Sequence, residues 1–99
     1  MTVKTAFKNG VLIAYLGGEI DHHTARLMRE TIDGEAEMQK PRILTLDFSK
    51  VRFMDSSGIG LIMGRCRMMS LLGGKVRLEN IPPNIEKIIA LSGVRSITG

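Results

Sequence analysis

The stretch DFSKVRFMDSSGIG, residues 47–60, decides the fold because it joins the end of an apolar run to the start of a helix-compatible one. Ser56 and Ser57 stand at this junction, and a serine at a helix start can accept hydrogen bonds from the unpaired backbone amides. Gly58 and Gly60 carry no side chain, so we expect the first helical turn to stay open to an approaching partner. A helix start also favours anions, so a phosphate there would be tolerated without unfolding the helix.

The sequence on either side of this junction predicts a strand, a helix and a second strand. Ile43 to Phe48 is short, apolar and bounded by turn-forming residues, which is typical of a buried strand. Ser57 to Leu72 is compatible with a helix that Gly73 and Gly74 stop. Lys75 to Leu78 is then expected to form the next strand.

The chain is predicted to open with a β-hairpin. Two β-prone runs, Val3 to Phe7 and Val11 to Leu16, are separated by Lys8, Asn9 and Gly10. An Asn-Gly pair between such runs is a strong short-range hairpin signal.

Two further segments have the periodicity of helices. Asp21 is available to cap the first of them, and Pro82 and Pro83 suit the first turn of the second, which Gly93 terminates. The helically spaced positions are Ala25, Met28, Ile32 and Ala36 in the first segment and Ile85, Ile88, Ile89 and Ser92 in the second.

Strands that alternate with helices after an initial hairpin predict an α/β fold. We expect a single domain over residues 1–99, in which helices pack on a mixed β-sheet in the order β-β-α-β-α-β-α. A chain of 99 residues with 43% hydrophobic content is long enough for one compact core and too short for two.

Composition indicates a cytoplasmic protein. The longest apolar runs fall far short of the roughly 20 residues that a membrane span needs, and residues 1–9 lack the core of a signal peptide. Cys66 is the sole cysteine, so it cannot form an internal disulfide or a cysteine cluster for zinc. Its helical spacing with Ile59, Ile62 and Met69 predicts a core residue and not a reactive thiol.

The net charge of +4 favours an acidic protein partner. Residues 51–99 carry seven basic and three acidic side chains, whereas residues 1–50 carry seven of each. Such a surplus steers either an acidic protein or a nucleic acid. With one Tyr, three Phe and no Trp, the chain supplies little stacking surface for nucleic-acid bases, so direct nucleic-acid binding is not expected.

The sequence resembles the STAS domain family over nearly its whole length. The resemblance is carried by Asp55-Ser56-Ser57-Gly58 after Phe53-Met54, and by Gly18-Glu19-Ile20-Asp21-His22-His23-Thr24-Ala25 upstream. Within the family, the paired histidines and the Phe-Met-Asp-Ser-Ser-Gly run are most similar to the sporulation anti-sigma F factor antagonists.

This resemblance implies a protein–protein switch and not an enzyme. It makes Ser57 the phosphate acceptor and the anti-sigma factor the ATP-using serine kinase. The unmodified form would bind the anti-sigma factor and free the sigma factor, and a metal-dependent serine phosphatase would regenerate that form. The residues expected to contact the partner are Asp21, His22, Asp55, Ser56, Ser57, Gly58, Ile59, Leu61 and Arg65.

The residues themselves leave other functions open. Ser57 is also explained as a plain helix cap. A nucleophilic serine enzyme is disfavoured, because the G-x-S-x-G elbow is lacking and only His22 and His23 are available as a base. The main alternative is a small-molecule or nucleotide-binding module that uses the helix start at Ser57-Gly58. Adjacent histidines point about 100° apart on a helix, so we expect neither a metal site nor a cofactor.

The helix after Ser57 is apolar on two sides. Ile59, Ile62, Cys66 and Met69 form one stripe, and Leu61, Met68 and Leu72 form another. One stripe should face the sheet, while the other is either covered by a neighbouring helix or forms a docking surface beside Arg65 and Arg67. Gly60 and Gly64 lie one turn apart and indicate close packing of helix on sheet.

The end of the sequence departs from the family pattern. STAS proteins usually continue into a further C-terminal helix, whereas this sequence stops at Ser96-Ile97-Thr98-Gly99. We expect part of the apolar core to be less covered as a result.

Overall fold

A four-stranded mixed sheet forms the centre of the molecule in the computed structural model, which describes residues 2–98. The strands lie in chain order, with the first antiparallel to the second and the remaining pairs parallel. The elements are β1 (Thr2–Lys8), β2 (Val11–Ile20), α1 (His22–Gln39), β3 (Ile43–Met54), α2 (Ser56–Leu71), β4 (Lys75–Glu79), α3 (Pro83–Ser92) and a final 3-10 turn (Val94–Ile97). The predicted α/β class and element order are confirmed.

The predicted hairpin joins β1 and β2. Asn9 and Gly10 both have positive φ angles, 54° and 79°, which is the backbone that the tight turn between twisted strands requires. The Gly10 carbonyl also accepts a hydrogen bond of 2.8 Å from the Arg42 amide, so the turn is tied to the start of the next strand.

The two central strands, β2 and β3, run further than the sequence predicted. The expected ends at Leu16 and Phe48 are wrong, because pairing continues to Ile20 and Met54, whose Cα atoms are register partners. Two irregularities interrupt the register, and Gly18 adopts a φ of 81° between them. A glycine that absorbs a local kink therefore prolongs the strand here, instead of ending it.

The hydrophobic core lies between one face of the sheet and the helices. Inward-facing residues of the strands, such as Leu12, Leu44 and Val76, occupy successive positions across the register. The helices close this layer with Met28, Ile32 and Ala36 from α1, Leu61, Ile62 and Met69 from α2, and Ile85 and Ile89 from α3. The predicted stripe of α1 thus faces the core, as do the three isoleucines of the α3 stripe, whereas Ser92 of that stripe is exposed.

The expected docking stripe on α2 is corrected by the structure. Leu61 is only 4% exposed and belongs to the core, next to fully buried Ile62. The α1 helix packs beside this part of α2, so the covered-face alternative applies to Leu61. Cys66 is partly buried against the same core, as predicted, and burial raises the pKa of its thiol.

No helix within residues 2–98 combines the length and the apolar character that crossing a membrane requires.

Truncating Leu61 is expected to destabilise the fold strongly. Leu61→Ala should lower the free energy of unfolding by about 2–5 kcal/mol, because it opens a cavity in the core. Leu91→Ala is the matched control, since Leu91 is 90% exposed and should change stability by less than about 0.5 kcal/mol. Denaturant unfolding of both variants measures the difference. Equally small losses of unfolding free energy in both variants would show that Leu61 lies on the surface and not in the core.

Candidate functional site

The start of α2 is capped by an aspartate and not by either serine. Asp55 is the N-cap residue, and its Oδ1 accepts a hydrogen bond of 2.8 Å from the Ser57 backbone amide. The interpretation of Ser56 or Ser57 as the capping residue is therefore wrong. Ser56 is exposed and Ser57 is half-buried. Within residues 2–98 the Ser57 hydroxyl has no hydrogen-bond partner, and it lines a groove between α1 and α2.

The starts of α1 and α2 lie next to each other at one edge of the sheet. Ile20 and Met54 pair at the ends of their parallel strands, and the Asp55 amide donates a 3.1 Å hydrogen bond to the Ile20 carbonyl. Asp21 follows Ile20 and caps α1. The two capping residues therefore follow directly on paired strand ends.

Asp21 forms a reciprocal capping box with Thr24. Its carboxylate accepts a 2.9 Å hydrogen bond from the Thr24 amide, and its own amide donates a 2.9 Å bond to the Thr24 hydroxyl. The bond from the Thr24 amide lowers the pKa of Asp21. The side chain is thus negatively charged at neutral pH, close to the start of α2.

Ser57 opens into a groove between α1 and α2. The groove has a volume of about 280 Å³ and is lined by His22, Ala25, Arg26 and Arg29 from α1, and by Ser57, Gly60 and Leu61 from α2. Three predicted contact residues, His22, Ser57 and Leu61, thus line the same groove. The sequence did not single out Arg26 and Arg29, although their spacing from His22 puts all three on one helical face.

A second, wider and more apolar groove lies on the other side of Ser56. Its volume is about 640 Å³, and its walls come from α2 and α3: Asp55, Ser56, Ile59, Gly60, Met63, Ile88, Leu91 and Ser92. Met63 and Leu91 are 47% and 90% exposed, so this groove presents apolar surface to solvent. Sequence reasoning missed both, because helical periodicity does not show which stripe a neighbouring helix leaves uncovered.

Gly58 and Gly60 have different structural reasons for lacking a side chain. A Cβ atom at Gly58 would overlap the side chain of Met54, so this glycine seats the helix directly on the end of β3. At Gly60 and Gly64 a Cβ atom would meet nothing within 4 Å, so the predicted close packing at these two positions is wrong. The open turn expected at Gly58 and Gly60 is found at Gly60 alone, where both grooves meet.

Arg65 does not lie on the surface that the sequence assigned to it. It is 5% exposed, and its Nε lies 2.8 Å from Oδ1 of Asp33 on α1. Neither atom has another hydrogen-bond partner in the described chain, so each is compensated by the opposite charge of the other. Burial raises the pKa of Asp33 and lowers that of Arg65, while their attraction opposes both shifts.

The predicted contact residues therefore divide into three groups. Asp21, His22, Asp55, Ser56, Ser57 and Ile59 surround the two helix starts and the grooves beside them. Gly58 and Leu61 support that region from within, as buried residues. Arg65, one helical turn beyond Leu61, is buried and joins α2 to α1 through its ion pair with Asp33.

Comparison with known proteins identifies the class to which this architecture belongs. The STAS domain model matches residues 2–98, so the chain belongs to the STAS domain family. It is similar to the anti-sigma F factor antagonist of Paenibacillus polymyxa, with 31% identity over 98% of this chain and 83% of that protein. It is also 30% identical to the anti-sigma-B factor antagonist of Bacillus subtilis (strain 168), over 83% of this chain and 73% of that protein.

Solved structures agree with this assignment. The unphosphorylated form of the anti-sigma factor antagonist SpoIIAA has a TM-score of 0.85 and 27% identity, covering 99% of this chain and 86% of that chain. The phosphorylated form of SpoIIAA, a Bacillus cell fate determinant, has a TM-score of 0.74 and 28% identity, and the match covers 99% of this chain and 89% of that chain. The resemblance seen in the sequence is confirmed.

Replacing Arg65 tests whether it acts inside the fold. Arg65→Glu should lower the free energy of unfolding by about 3–5 kcal/mol, because it places two carboxylates in a site that is largely shielded from water. Arg65→Met should lower the free energy of unfolding by less, about 1–3 kcal/mol, since water still reaches the Asp33 side chain, which is 29% exposed. Denaturant melts compare the two. A loss below about 0.5 kcal/mol for Arg65→Glu would contradict the buried pair.

Proposed function

We propose that this protein is an anti-sigma-factor antagonist controlled by phosphorylation of Ser57. In this proposal the unphosphorylated form binds an anti-sigma factor, which is also an ATP-using serine kinase, and releases the sigma factor. Phosphorylation by that kinase ends binding, and a metal-dependent serine phosphatase restores it. A sigma factor works in the cytoplasm, which is where the proposal puts this protein.

The observation that carries the proposal is the Ser57 side chain, which lines the groove between α1 and α2 and does not cap the helix. Because Asp55 supplies the cap, modification of Ser57 removes no capping side-chain hydrogen bond from the helix start. The similarity to antagonists of the same fold supports the same role for this chain.

The physics of a phosphate at Ser57 fits such a switch. A phosphoserine carries about −1.5 to −2 charges and three strong acceptors, so an interface formed over a neutral serine would bury an unpaired anion. Asp21 and Asp55 add negative charge close by. The favourable field of the helix start offsets part of this repulsion, so the fold survives while binding is lost.

We propose that the partner covers the two helix starts and both grooves. Asp21, His22 and Ser56 supply polar contacts, and Ile59 lies in the apolar groove with exposed Met63 and Leu91. Leu61, Gly58 and Arg65 shape this surface from below instead of touching the partner. Such a surface binds another protein, and we propose no reaction catalysed by this chain.

Phosphorylation is the first test of the proposal. Incubation with the anti-sigma kinase and ATP should add one phosphate, found by mass spectrometry on the peptide that contains Ser56 and Ser57. Ser56→Ala should still be labelled, whereas Ser57→Ala should not. No labelling by a kinase that is active on another antagonist would favour the nucleotide-binding alternative, which direct binding of a nucleotide to this chain would then establish.

The same variants test binding. Ser57→Ala should bind the anti-sigma factor whether or not ATP is present, and Ser57→Asp should bind at least about tenfold more weakly while staying folded. Calorimetric titration measures both affinities, and circular dichroism checks the fold. Equal affinities for the two variants would contradict the switch.

Gly60 provides a test of the proposed surface that is separate from phosphorylation. Gly60→Gln should raise helix stability by about 0.5–1 kcal/mol, because glycine is a poor helix former and no atom obstructs the new side chain. It should nevertheless weaken partner binding, since it fills the junction of the grooves. Gly34→Gln is the matched control on α1, because Gly34 is equally unobstructed. If both variants bind normally, the partner docks elsewhere.

A further inference from the structure

The groove that Ser57 opens into has a positively charged wall. His22, Arg26 and Arg29 are spaced by four and three residues along α1, so they share one face of the helix. All three line the groove opposite Ser57. The only hydroxyl among the residues that line this groove is that of Ser57.

The two arginines in this wall have no carboxylate partner. Within residues 2–98 the ion pairs shorter than 4.0 Å engage Arg65, Arg77 and Arg95, and none engages Arg26 or Arg29. Asp33 is the acidic group that acts on Arg29 through its charge, but its close contact is with Arg65. Both guanidinium groups are therefore exposed and free to bind an anion from the groove.

A phosphorylated serine is the anion that this position would supply. A phosphoserine presents three acceptor oxygens, and a guanidinium group binds such oxygens with two parallel N–H donors. We infer that Arg26 and Arg29 form an internal receptor for the phosphate of phosphorylated Ser57, which joins α1 to α2 across the groove. This inference rests on the proposed phosphorylation of Ser57.

The receptor gives the phosphorylated state a second property besides blocked binding. Two guanidinium charges balance the phosphate and offset its repulsion from Asp21 and Asp55. The groove wall, cationic before modification, becomes nearly neutral and is bridged by the phosphate. In the modified protein the groove is therefore closed by the phosphate that bridges its two walls.

Titration of the phosphate itself tests the receptor. The protein is made with phosphoserine incorporated at position 57 during synthesis, so that no kinase is needed, and the second pKa of the phosphate is followed by ³¹P NMR. A free phosphoserine has a second pKa of about 6, and paired cations should lower it by about one unit. Arg26→Gln combined with Arg29→Gln should return it to about 6.

Two further variants separate specific pairing from general charge. Arg52→Gln with Lys87→Gln removes the same net charge from exposed positions outside the groove and should leave the lowered pKa unchanged. Arg26→Lys with Arg29→Lys keeps the charge, loses the paired donors and should give an intermediate value. The receptor would be overturned if the phosphate had the same second pKa in the parent and in the Arg26→Gln, Arg29→Gln protein. It would also be overturned if the Arg52→Gln, Lys87→Gln control raised that pKa as much as the Arg26→Gln, Arg29→Gln protein does.

The outcome is distinguishable from failure of the proposed function. If the kinase labels Ser57 but the second pKa of the phosphate is not lowered, the receptor is disproved and the proposed switch still holds. If the phosphate pKa is lowered but no anti-sigma kinase modifies the protein, the proposed function is disproved while the pairing of the phosphate with Arg26 and Arg29 is supported. Normal binding of the unphosphorylated Arg26→Gln, Arg29→Gln protein to its partner would further support a role confined to the modified state, and loss of that binding would instead assign the arginines to the partner.

Discussion

Parallel pairing of β2 and β3 is the constraint on which the rest of the structure depends. Because the two strands stay paired to Ile20 and Met54, the chain leaves both of them at the same edge and enters two helices there. Had the strands separated at Leu16 and Phe48, the helix starts would have no fixed relation to each other. The local irregularities near Gly18 preserve this pairing. A glycine in the middle of a strand thus determines where the site lies.

The residue that caps α2 and the residue that we propose is phosphorylated are different residues. Asp55 satisfies a backbone amide that a serine would otherwise satisfy, so the Ser57 hydroxyl has no structural duty. The same division occurs in α1, where Asp21 and Thr24 complete the capping box and leave His22 exposed on the groove. Each helix start is therefore capped without the side chains of Ser57 and His22.

The fold was largely predictable from the sequence, while the detailed site was not. Turn residues, apolar runs and helical periodicity indicated every strand and α-helix, because these signals depend on local geometry, but they did not indicate the 3-10 turn Val94–Ile97. The strand ends were predicted too early, since the sequence alone does not distinguish a glycine such as Gly18 in a β-bulge from a glycine in a turn that ends the strand. The burial of Leu61 depends on how α1 crosses α2, and the pairing of Arg65 with Asp33 joins residues 32 positions apart. No local pattern contains either fact.

The close packing of Gly58 on Met54 restricts how the kinase of the proposed switch would recognise this protein. The turn that carries Ser57 is held by three contacts at once: this packing, the Asp55 cap and the bond from the Asp55 amide to the Ile20 carbonyl. Many modifying enzymes bind their target as an extended, flexible peptide, and unwinding this turn would break all three contacts. An enzyme that acts on Ser57 therefore has to read a rigid, folded surface, so its specificity lies in the shape of the whole domain and not in a linear motif.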